Sequence, residues 1–82
     1  MMVEAADVTF KELDAANKKK VRAIQKVTGG KPSYFQSGMS GEIAAFESGR
    51  TRFDLTILKK LVSLGVRWIE MHPRDKQFHV GL

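Results

Sequence analysis

The chain has no cysteine among its 82 residues, which excludes disulfide cross-links, thiolate nucleophiles and cysteine-ligated metals. Only two prolines occur, Pro32 and Pro73, so long stretches are free to form regular structure. No apolar run approaches the ~20 residues of a membrane span, and the N-terminus lacks a secretory signal's basic start and apolar core. These absences imply a cytoplasmic protein without a membrane partner. Catalytic combinations are missing too. The sequence offers no glycine-rich phosphate loop, no nucleophile–base pair and no carboxylate dyad, so it predicts a non-enzyme with no catalytic residue and no cofactor.

What the chain does carry is positive charge, unevenly placed. Residues 1–17 hold four acidic side chains against Lys11 alone, a net −3. Residues 18–82 hold thirteen Lys and Arg against five Asp and Glu, a net +8. A basic body of this kind favours nucleic acid or an acidic protein surface as partner.

Residues 1–8 read as a flexible leader and 9–82 as one domain. Thr9 and Glu12 form a capping box, with Val8 stapled on Leu13, and predict a first helix running to about Val27. Its buried side would hold Leu13, Ala16, Val21, Ile24 and Val27. Gly29-Gly30 ends it and Pro32 prevents its resumption. Ser33–Gln36 fits a short strand. Ser40 caps a predicted second helix over Gly41–Ser48, burying Ile43, Ala44 or Ala45, and Phe46. Asp54 caps a third helix to Leu64, and Gly65 stops it. Val66–Met71 and Gln77–Leu82 then alternate as a β-hairpin closed by His72–Lys76. The predicted fold is mainly α, three helices followed by a C-terminal hairpin.

That order of elements resembles a winged helix-turn-helix, on Glu42-Ile43-Ala44, Gly49, the run from Leu58 to Val66 and the hairpin behind it. Ala45, Gly49, Leu55 and Leu58 sit at the spacings of such a turn. The resemblance implies a small bacterial or phage transcriptional regulator binding double-stranded DNA, often as a homodimer. Its third helix would enter the major groove and its hairpin, the wing, would lie against the neighbouring backbone or minor groove. Ile43, Phe46-Glu47, Gly49, Leu55, Leu58 and Lys60-Leu61 also resemble the latter half of a Cro/repressor-type helix-turn-helix, in which Ser40–Ser48 would be the recognition helix.

On either resemblance the DNA-binding residues are Arg50, Thr51, Arg52, Thr56, Lys59, Lys60 and Ser63, with Arg74 and Lys76 at the hairpin tip. Arg50, Arg52 and Lys59 can meet guanine edges or phosphates, and Thr51, Thr56 and Ser63 can meet phosphates or thymine methyls. The alternative is an interaction module or inhibitor that docks the same surface on an acidic protein. His72 and His79 flank the hairpin turn with no third ligand in view, so the sequence assigns no metal. Trp68 reads as a core anchor. Glu42, Glu47 and Glu70 have no acid–base partner, although Glu47 can pair with Arg50 or Arg52.

Overall fold

Over Gly41–Glu47, where the sequence predicts a helix, the chain is extended. In the computed structural model, which describes residues 6–39, 41–49 and 52–82, two strands lie within residues 32–47. β2 (Pro32–Gly38) pairs antiparallel with β3 (Gly41–Glu47), placing Phe35 opposite Ala44 and Gln36 opposite Ile43. β3 is central, because its other edge pairs with β5 (Gln77–Gly81). The helix-forming preference of Ala44-Ala45 is worth only tenths of a kcal/mol per residue. Pairing on both edges satisfies the strand's backbone and buries Ala44, Ala45 and Phe46 completely.

The three-helix winged architecture is thereby overturned, and so is the Cro/repressor alternative with its recognition helix over Ser40–Ser48. The domain is α+β, with two helices on a five-stranded antiparallel sheet. The remaining elements are β1 (Ala6–Val8), α1 (Ala15–Thr28), α2 (Leu55–Ser63) and β4 (Trp68–His72), and the strand order is β1-β2-β3-β5-β4. Ala6–Val8, part of the leader by sequence, pairs with β2 as an edge strand. The hairpin of β4 and β5 forms where the sequence places it, but as two of the five strands of the sheet and not as a projecting wing. The Ser40 cap lies outside the described residues.

Both helices start on aspartates. Asp14 accepts from the Asn17 amide at 2.8 Å and Asp54 from the Ile57 amide at 3.0 Å. The Thr9–Glu12 interaction forms ahead of α1 and closes a single 3-10 turn instead of opening the helix. Gly29, at φ 73°, ends α1 in the left-handed conformation that glycine adopts without strain. Gly30 follows for a different reason. A Cβ there would lie 2.4 Å from the Glu47 carbonyl oxygen, so the chain can pass β3 only without a side chain.

The core lies between the helices and one face of the sheet. Val21 and Ile24 from α1 and Leu61 from α2 close over Phe35, Ala44, Phe46, Phe78 and Val80, with Leu13 and Leu82 at its margins. Phe46 and Phe78 stack at 5.1 Å, and Phe53 meets Phe78 edge-on at 4.8 Å. Ala16, assigned by sequence to this layer, is exposed. Trp68 is not a core anchor, since it sits opposite Gly81 on an edge strand and remains 37% exposed.

The Thr9–Glu12 turn gives a test in acid. Glu12 Oε1 accepts from the Thr9 amide at 2.9 Å and its hydroxyl at 3.0 Å, and these bonds hold the carboxyl below its ordinary value of 4.5. A lowered carboxyl pKa stabilises the fold above the unfolded-state value, and that contribution disappears as pH falls through the folded value. Below about pH 4.5 the parent should therefore lose stability more steeply than Glu12→Gln in urea titrations at stepped pH. Identical acid profiles would show that the turn does not form in solution.

Candidate functional site

Charge divides this molecule by layer. The two helices carry Lys18, Lys19, Lys20, Arg22, Lys26, Lys59 and Lys60 and no acidic residue. The five strands carry Asp7, Glu42, Glu47 and Glu70 and no Lys or Arg. Lys and Arg shield their stems on a helix surface while the charged ends stay in water, whereas strand positions here favour packing and cross-strand pairs. The outer surface of the helical layer is basic and the opposite face of the sheet is not.

On α1, Lys19, Arg22 and Lys26 follow i, i+3, i+7 and are exposed, so they form one stripe. Arg22 lies over the Phe10 ring at 5.3 Å, which fixes its stem and leaves the guanidinium at the surface. Lys20 is used internally and donates to the carbonyls of Leu82 at 2.7 Å and Gly65 at 3.4 Å. On α2, Thr56, Lys59, Lys60 and Ser63 are all exposed, and the Ser63 hydroxyl donates to the Lys60 carbonyl at 2.7 Å.

The sequence-assigned DNA-binding residues are thus only partly gathered. Thr56, Lys59 and Ser63 share the outer face of α2. Arg52 is exposed but precedes the helix, so it does not continue that stripe. Arg74 and Lys76 are exposed at the hairpin turn, away from any wing geometry. Arg50 and Thr51 lie outside the described residues. The α1 stripe belongs to the same basic layer, and its i, i+3, i+7 spacing was legible as the polar side of an amphipathic helix.

The uncovered face of the sheet holds a second cluster. Register places Tyr34, Ala45, His79 and Glu70 in one row across β2, β3, β5 and β4, with Gln77 and His72 in the next. Glu70 therefore has partners, contrary to the sequence reading. His72 Nε2 lies 2.6 Å from Glu70 Oε1 and, shielded from solvent, makes no hydrogen bond among the described residues. The His72 and His79 rings lie 4.1 Å apart at 31°. His79 Nε2 meets the Tyr34 hydroxyl at 3.3 Å and Gln77 Oε1 at 3.4 Å. Burial, then the adjacent His72, keeps the His79 imidazole below the usual histidine range, against the opposing pull of Glu70 and Asp75.

Beside the hairpin turn, Glu47, Gly49, Asp75, Lys76 and Gln77 line an open depression of about 280 Å³. Its lining pairs no nucleophile with a base. No helix among the described residues is long and apolar enough to cross a membrane. Comparison of the chain with family models, curated proteins and solved structures finds no match.

Proposed function

We propose that this domain binds double-stranded DNA through the basic outer surface of α1 and α2, gripping the phosphate backbone without a helix-turn-helix. The observation that carries the reading is the segregation of charge: seven Lys and Arg with no acid on the helices, against four acids with no Lys or Arg on the strands. Adjacent phosphates on a duplex present a dense row of negative charge, and cations that neutralise them release condensed counterions. Lys19, Arg22 and Lys26 on one helix and Lys59 and Lys60 on its neighbour supply five exposed cations on one layer. Phosphate contacts of this kind fix position and affinity but read little sequence.

Fluorescence anisotropy with a random-sequence duplex, titrated across a salt series, tests this directly. With all five cations on phosphates, log affinity should fall against log salt with a slope near about −4.5. That slope corresponds to roughly a 500-fold loss between 50 and 200 mM salt. A flat salt dependence, or no binding at low salt, would move the basic layer to an acidic protein partner.

A further inference from the structure

Glu70, His72 and His79 each offer one ligand atom, and these atoms lie within 4.8 Å of one another on the uncovered sheet face. From this geometry we infer that the three side chains form a binding site for a divalent late first-row transition ion, represented by Zn²⁺, with one coordination position left open. The inference is independent of DNA binding, which uses the opposite layer.

The strand pairing builds the site. Glu70 and His72 are two residues apart on β4 and so point to the same side, while His79 is the direct cross-strand partner of Glu70. Two imidazoles and a carboxylate from a paired hairpin are thus held by backbone hydrogen bonds and not by a loop. A four-coordinate ion with metal–ligand bonds of about 2.0–2.1 Å needs ligand atoms about 3.3 Å apart. The observed spread reaches that value by small rotations of an exposed Glu70 and two half-buried histidines.

Three further observations point to a cation here. His72 Nε2 is shielded from solvent, lies 2.6 Å from Glu70 Oε1 and makes no hydrogen bond among the described residues, so two candidate ligand atoms already face one another. The Tyr34 hydroxyl and Gln77 Oε1 both lie against His79 Nε2, as the outer partners of an imidazole do when they fix its ring, leaving Nδ1 to ligate. No Lys or Arg lies on a strand among the described residues, so no fixed cation of these strands competes for the carboxylate. Imidazole nitrogen favours zinc, copper and nickel over magnesium and calcium, which prefer all-oxygen sites. Three protein ligands, and not four, are the pattern of a site that keeps a position for water or substrate.

The test uses untagged full-length protein stripped with a chelator. Isothermal titration with ZnCl₂ should give one ion per chain, and Glu70→Gln, His72→Gln and His79→Gln should each weaken binding by more than about tenfold. Because the chain has only two histidines, long-range ¹H–¹⁵N spectra of the parent provide a readout that requires no variant. Both imidazole spin systems should shift together and saturate at one equivalent. No stoichiometric uptake, a shift confined to one ring, or affinity unchanged in all three variants would overturn the site.

Discussion

Phe78→Ala is expected to lower the unfolding free energy by about 3–5 kcal/mol, as buried aromatic truncations do. Phe78 is fully buried on β5, opposite Phe46 on β3 and Met71 on β4. It stacks on Phe46 and takes the edge of Phe53, so its removal empties the space where the sheet meets the loop leading into α2. A domain of 82 residues has a total stability of roughly 4–12 kcal/mol. The substitution should therefore remove roughly a quarter or more of that stability, visible in urea melts as a large drop in midpoint with little change in slope. Phe53→Ala serves as the comparison, because Phe53 is only half-buried and should cost less. Equal, small losses for both would show that the Phe46–Phe78 stack is not the centre of the core.

Where the sequence carried its own local signals, it was readable. Asp54 before an apolar-periodic run, and Gly65 after it, marked α2 within one residue. Gly29 ended α1, and the alternation of Phe78, Val80 and Leu82 marked the last strand and its buried face. The failures share one cause. Gly41–Glu47 has helix-compatible composition, and only its two partners, β2 and β5, make it a strand. Those partners lie on either side of it in sequence, one of them some thirty residues away, so no local window contains the deciding interaction.

The histidine cluster was hidden for the same reason. His72 and His79 were visible as neighbours of one turn, but Glu70 joins them only once the register places it opposite His79. A shift of one residue would have sent Glu70 to the helix side. Tyr34 reaches His79 across β3, over the small Ala45, which is fully buried although it lies on the face without helices. Nothing in the spacing of residues 34, 70, 72 and 79 announces that arrangement. The basic side of α1, by contrast, with Lys19, Arg22 and Lys26 opposite the buried Val21 and Ile24, needs no long-range contact to be seen.

If the helical layer grips DNA, its cations should be separable from everything else by substitution. Replacing Lys19, Arg22 and Lys26 with Gln should reduce the slope of log affinity against log salt by up to about 2.7, since each phosphate contact contributes about 0.9. Lys59→Gln with Lys60→Gln should reduce it by up to about 1.8 by the same rule. Both sets should weaken binding alike on all duplex sequences, because backbone contacts carry little sequence information. Thermal unfolding should move little, as these side chains are exposed and, among the described residues, lose only the contact of Arg22 with the Phe10 ring. Glu70→Gln and Arg74→Ala with Lys76→Ala supply the opposite control, the first on the far face of the sheet and the second at the hairpin turn. If affinity falls only in the helix variants, the basic layer is the contact surface. If the hairpin-turn variant falls furthest, the turn carries the contact and the helical layer is a solvated face. Equal affinities throughout would leave charge segregation without a role in DNA binding, and the acidic-partner alternative would take its place.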